Sequence, residues 1–211
     1  MVHKYAPKSV VRRLPVYLRI LDNLIINDVE IISSKELGDE TGFSAEQIRK
    51  DLAVFGAFGT RGSGYNTVFL REKILKIIGL DEQTNITVIG TGHLGIALIR
   101  YNVQKNPYVN VVAAFDIDAS LVGQSILGVE IIDISKFKEI VDKYDIKVAV
   151  MTVPAEHAQS VVEKVIESGI NVIFNFAPVK LRVPENVHVR NVDLSIELQS
   201  LIYYATAERK L

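Results

Sequence analysis

The chain contains no cysteine among its 211 residues. That absence excludes disulfides, thiolate catalysis and cysteine-ligated zinc together, and it accords with a cytoplasmic setting. No stretch approaches the roughly 18 consecutive apolar residues that a membrane span requires, so no membrane partner is expected. The start, Met1-Val2-His3-Lys4-Tyr5, has neither an apolar core nor a small-residue cleavage site, and no secretory signal is expected there. Internal repeats and low-complexity segments are also missing. Neither sign of charge dominates, with 24 Lys+Arg against 25 Asp+Glu. What is present, 48% hydrophobic and 23% charged residues, is the composition of an ordered globular protein.

The near-neutral total hides an asymmetry. Residues 1–78 carry 12 basic and 9 acidic side chains, and residues 79–211 carry 12 and 16. A basic front and an acidic back point to two modules with different partners.

The first half reads as short helices with punctuation. Leu14, Leu18, Leu21, Leu24 and Ile25 recur at helical spacing, with Pro15 suited to a first turn. Ser33 and Glu36 have capping-box spacing ahead of a short helix that stops at Gly42. Ser44-Ala45-Glu46-Gln47 repeats that pattern and opens a third helix through Ile48, Leu52 and Phe55. The gap Thr41-Gly42-Phe43 is of the kind that joins the helices of a helix-turn-helix. Gly56 to Asn66, rich in glycine, then predicts a hairpin wing whose return strand is Val68-Phe69-Leu70, with a closing helix over 71–80. Beyond a boundary near 79–84 the period changes. Apolar runs at 86–89, 109–115, 148–153 and 172–176 alternate with helical stretches near 93–104, 135–144 and 155–168, as in a parallel sheet covered on both faces.

Gly90-Thr91-Gly92-His93-Leu94-Gly95 fits G-x-G-x-x-G, follows the strand 86–89 directly and opens a helix. The first glycine permits the turn, the second lets backbone approach a pyrophosphate, and the third allows close helix–sheet packing. Asp116, with Asp118 close by, lies 21 residues after Gly95, where a carboxylate can accept the ribose hydroxyls and repel a 2′-phosphate. NAD+ or NADH is therefore favoured over the phosphorylated dinucleotides. Two apolar strand ends, Thr152-Val153-Pro154 and Phe176-Ala177-Pro178, should share that sheet edge. A pocket of Pro154, Phe176, Ala177 and Pro178 would suit the neutral reduced ring better than the cationic oxidised one. A tight strand–helix turn, and prolines that merely end strands, explain the same residues without a ligand.

The histidines His3, His93, His157 and His188 lack a recognisable catalytic companion, and no second substrate domain follows, so an enzyme is not expected. For DNA, the third helix offers Gln47, Arg49 and Lys50 with Ser44 at its start, side chains suited to base edges in a major groove. Arg61 in the wing can reach a minor groove, and Lys4, Lys8, Arg12 and Arg13 are candidate phosphate contacts. A solvated helix face accounts for Arg49 and Lys50 equally simply. Two other classes remain open, an NAD-dependent oxidoreductase with a small helical domain and a CoA- or nucleotide-binding scaffold without DNA.

Taken in order, Ile48-Arg49-Lys50-Asp51-Leu52, Phe55-Gly56, Gly59 to Tyr65, the glycine loop, Phe115 to Asp118, Thr152 to Pro154, Asn175-Phe176-Ala177-Pro178 and Asn191-Val192-Asp193 resemble the Rex family of redox-sensing repressors. The resemblance implies a winged helix-turn-helix over 1–80, a doubly wound Rossmann domain over 81–193 and a C-terminal helix over 194–211. It also implies a homodimer that exchanges that last helix, senses the NADH/NAD+ ratio and leaves a palindromic double-stranded operator when NADH binds. A coupling trio maps onto Arg19, Tyr101 and Asp193. Leu194 stands where some relatives carry an aromatic residue.

Overall fold

The computed structural model describes residues 6–56, 58–59 and 63–207. The chain forms two compact units that divide between Glu82 and Gln83.

In the first unit, helix α1 (Lys8–Ile26) buries Val10, Leu14, Tyr17, Leu18 and Leu21, one face at three- and four-residue spacing. The apolar face begins before Pro15, so the helix does too, and Pro15 lies in its interior rather than its first turn. The ring sits on the exposed side, where the Val11 carbonyl that lacks an amide partner can turn to water. Helix α2 (Ser34–Thr41) has a complete capping box between Ser33 and Glu36 and ends on Gly42 in the left-handed region. Helix α3 (Ala45–Ala53) is capped by Ser44, whose hydroxyl accepts the Gln47 amide, but Gln47 does not reach back. Strand β1 (Ile31–Ile32) pairs antiparallel with β2 (Tyr65–Asn66).

The return strand expected at Val68-Phe69-Leu70 is instead the start of helix α4 (Thr67–Ile78). Asn66 caps it through the Phe69 amide, and Leu70 and Ile74, one helical turn apart, are both buried. Three apolar residues in a row fit either period, and the cap decides. The wing's paired strand is therefore Tyr65–Asn66, and its tip, residues 60–62, lies outside the described residues.

The second unit holds one seven-stranded sheet. Its elements are β3 (Thr84–Ile89), α5 (His93–Lys105), β4 (Val109–Asp116), β5 (Ser125–Ile126), β6 (Val129–Asp133), α6 (Phe137–Tyr144), β7 (Val148–Met151), α7 (Ala155–Glu167), β8 (Val172–Asn175), β9 (His188–Asn191) and α8 (Leu194–Ala207). The order is β5-β6-β4-β3-β7-β8-β9, all pairs parallel except the β5–β6 hairpin. Read without β5, this is the doubly wound order whose reversal beside the first strand opens a crevice at the carboxyl ends. Ile89, Phe115, Met151 and Ile173 face α6 and α7, whereas Ile86, Val88, Val111 and Ala114 face the α5 side with Ile99. Burial on both faces explains the continuous apolar strands. Helix α8 stands apart, since Leu194 to Thr206 are all exposed.

The reassignment of Val68-Phe69-Leu70 can be checked by chemical unfolding. Leu70→Ala should cost about 2–5 kcal/mol, whereas Phe69→Ala, at a position 44% exposed, should cost far less. Equal losses would contradict the helix.

Candidate functional site

At the end of β3 the backbone turns through Gly90 at φ +92°, and a Cβ there would sit 2.9 Å from the Thr152 carbonyl oxygen. A Cβ on Gly95 would collide with the Gly90 carbonyl oxygen, so α5 can run this close to the strand only with glycine. Gly92 is different: a Cβ there meets nothing, because the residue faces open space. No side chain caps α5, whose first-turn amides are thus left for an anion. Thr152 fastens the loop by donating its hydroxyl to the Gly90 carbonyl at 2.7 Å.

Beside the loop lies a cavity of about 590 Å³. It is lined by Gly90, Gly92, His93, Leu94, Asp116, Thr152, Val153 and Pro154, all expected from the sequence. Ile117, Ile134, His157, Ser160, Val161 and Lys164 line it as well and were not anticipated. The last four share one face of α7, beside the one that buries Ala158, Val162 and Val165, so helical spacing carried that signal. Apolar walls beside a glycine loop fit an adenine nucleotide in size and character.

Asp116, which lines the cavity, is also bonded to the loop itself. Its Oδ2 accepts from the Thr91 amide and hydroxyl, both at 2.6 Å. Its Oδ1 accepts from the amides of Ile117 at 2.8 Å and Asp118 at 3.1 Å. Burial alone would push this carboxyl up, but these donors outweigh it and hold the group below the usual carboxylate range. Asp116 clamps the glycine loop to β4, with its lone pairs already engaged. Asp118 is exposed and accepts from the Ser120 amide and hydroxyl.

Of the four residues expected to form the ring pocket, Pro154 lines this cavity and Phe176, Ala177 and Pro178 do not. Ala177 is buried in the core, Phe176 packs edge-on against Phe174 at 4.6 Å, and Pro178 is exposed.

In the first unit α3 hangs on a buried carboxylate. Asp51, 1% exposed, accepts Arg13 Nη2 at 2.8 Å, the Tyr17 hydroxyl at 2.7 Å and Gln47 Nε2 at 2.7 Å, besides Arg13 Nε. Burial raises its pKa, and these donors more than reverse the shift, so the group stays ionised. The Tyr17 hydroxyl is pushed up, by burial first and then by its bond to Asp51. Gln47 and Arg13, read from the sequence as DNA contacts, are thus committed to Asp51, and the Ser44 hydroxyl is committed to its cap. Arg49 reaches the Ser34 hydroxyl at 2.8 Å, and Lys50 pairs with Glu46 at 2.7 Å, both on the exposed surface. Arg12 is exposed on α1, and Arg61 lies outside the described residues.

A family model described as a putative DNA-binding protein N-terminus matches residues 6–53, and one described as a CoA binding domain matches residues 81–179. The redox-sensing transcriptional repressor Rex of Natranaerobius thermophilus is 59% identical over 203 residues, covering 96% of this chain and 93% of that protein. The chain belongs to the Rex family of redox-sensing transcriptional repressors. The Rex protein of Bacillus licheniformis is 41% identical, covering 97% of this chain and 95% of its own length. A crystal structure of RSP in complex with β-NAD+ and operator DNA matches with TM-score 0.91 and 37% identity, covering 98% of this chain and 95% of that one. RSP in complex with β-NADH matches with TM-score 0.86 and 36% identity, covering 98% and 97%. Rex proteins are repressors, so the oxidoreductase alternative falls.

Of the trio that the Rex resemblance implied, Arg19 is exposed on α1 and Tyr101 is 62% exposed on α5. Asp193 caps α8, accepting the Ser195 amide at 2.9 Å and the Ile196 amide at 3.2 Å.

Asp51→Asn should leave Arg13 without its counter-ion and cost roughly 2–3 kcal/mol, below the fully buried case because Arg13 is partly solvated. Since the folded carboxyl titrates below the unfolded one, its contribution is full above about pH 4 and fades as pH falls through the folded value. Thermal unfolding between pH 3 and 7 checks this, and the variant should lose that part of the acid dependence.

Proposed function

We propose that the chain is a homodimeric repressor that binds one NAD+ or NADH in each C-terminal unit and leaves a palindromic operator when NADH is bound. The observation that carries this reading is the glycine loop beside the 590 Å³ cavity, in a chain so like RSP in its complexes with NAD+, NADH and operator DNA. The open side of Gly92 and the uncapped amides of α5 suit the pyrophosphate, and Ile117, Ile134, Val153 and Val161 suit the adenine. A bound dinucleotide would supply the redox signal through the charge of its nicotinamide ring, with no chemistry asked of the protein.

For DNA, Arg49 and Lys50 of α3 are the base-edge candidates, with Ser44 and Gln47 holding the helix. Arg12 and the wing's Arg61 are candidate backbone and minor-groove contacts. Two such helices must meet successive major grooves about 34–36 Å apart, which makes the geometry of a dimer the quantity a ligand has to change. Helix α8 supports association. It exposes Leu194, Ile196, Leu198, Leu201, Ile202, Tyr203 and Tyr204, an apolar surface that water does not favour and that a second copy, by exchange or by apposition, would cover. Arg19, Tyr101 and Asp193 are then the residues through which the two units communicate.

Fluorescence anisotropy on a palindromic duplex selected from random DNA tests the central claim. NADH should release the duplex and NAD+ should not, and indifference to both would overturn the sensor. Gly95→Ala should abolish the NADH response and spare operator binding, because the clash is confined to the glycine loop. Arg49→Ala should cost about 1–3 kcal/mol on the operator and much less on random DNA. In sedimentation, Leu198→Glu with Leu201→Glu should give monomers, and a persistent dimer would remove α8 from the interface.

A further inference from the structure

One buried amide fastens the loop after β8 to the segment that leads into α8. Asn175, the last residue of β8, is fully buried. Its Oδ1 accepts the Ala177 amide at 3.1 Å. Its Nδ2 donates to the Ala177 carbonyl at 3.1 Å, to the Val179 carbonyl at 3.4 Å and to Oδ1 of Asn191 at 2.9 Å. An amide nitrogen has two hydrogens, so three acceptors share them. Two of those acceptors belong to the Phe176–Val179 loop. The third belongs to β9, where Asn191 is the register partner of Asn175. The backbone repeats the link, since the Val192 amide donates to the Asn175 carbonyl at 2.9 Å. Asp193, the next residue, caps α8.

We infer that Asn175 is a positioning residue that couples the Phe176–Pro178 loop to the start of α8, with Asn191 as the second half of the link. Burial of backbone polar groups does not require the Asn191 contact. Asn175 already meets the Ala177 amide and the Ala177 and Val179 carbonyls without it, and Asn191, an exposed residue, can turn its side chain to water. What the contact adds is a shared pair of hydrogens, so that a shift of the loop changes how firmly the β9 end is held. The inference rests on the redox-sensor reading, in which α8 joins a second copy, and on the sequence expectation that reduced nicotinamide meets this loop from beyond the cavity beside the glycine loop. A ligand that favours one loop position then acts on α8 through its differential affinity for the two arrangements.

The test compares the full-length chain with Asn191→Ala and Asn191→Asp, reading operator affinity with and without saturating NADH, NADH affinity by calorimetry, and thermal unfolding. Asn191→Ala should bind NADH and operator as the unaltered chain does but lose roughly 3- to 10-fold of the NADH response, the worth of one hydrogen bond. Asn191→Asp keeps an acceptor for Asn175 and should keep the response. A full response in Asn191→Ala, equal losses in both variants, or a parallel loss of NADH affinity would each overturn the coupling. Failure of the unaltered chain to respond to NADH would instead sink the sensor reading, and this link with it.

Discussion

The first turn of α5 rests directly on the carbonyl of Gly90, and the ligand edge of the sheet is organised around that contact. Because a side chain at Gly95 has no room, the helix axis points its unpaired amides at the space above β3. Thr152 and Asp116 hold the loop from opposite sides, one from the end of β7 and the other from the end of β4. Both spend polar groups on backbone, so the anion site is preformed before any ligand arrives. A preformed site loses little conformational entropy on binding, which leaves more of the interaction energy to discriminate between ligands.

The N-terminal unit solves a related problem with charge. A carboxylate at 1% exposure is costly unless every lone pair is used, and Asp51 draws donors from α1 and from its own helix to meet that demand. The reward is orientation more than stability. A greasy contact between α1 and α3 would tolerate sliding, whereas the Arg13 fork and the Tyr17 hydroxyl fix both distance and direction. Arg49 and Lys50 project from a helix whose rotation is thereby set.

The motifs with fixed spacing were legible in the sequence, namely the capping box at Ser33, the turn at Gly42, the glycine loop and the alternation of apolar strands with helices. Each depends on neighbours a few residues away. The hub at Asp51 was not legible, because Arg13 and Tyr17 are 38 and 34 residues distant and nothing local marks them as its donors. The same applies to the bonds between Asp116 and the glycine loop, whose Thr91 lies 25 residues away. Val68-Phe69-Leu70 reads as a strand by its apolar content, a signal that masks the Asn66 cap. Strand β6, Val129–Asp133, has no continuous apolar run to mark it in the sequence. The α7 face from His157 to Lys164 could have been found by spacing alone.

Helix α8 has a consequence that reaches beyond the fold. Its apolar surface is exposed along its length, so whatever covers it contributes to the stability of the covered state by mass action. On the proposed association with a second copy, each tenfold rise in protein concentration adds about 1.4 kcal/mol to the assembled form. Scarce chains would spend more time with that surface bare, open to proteases and to unspecific contacts. Cellular abundance would then govern how long the repressor survives as well as how fully it occupies its sites.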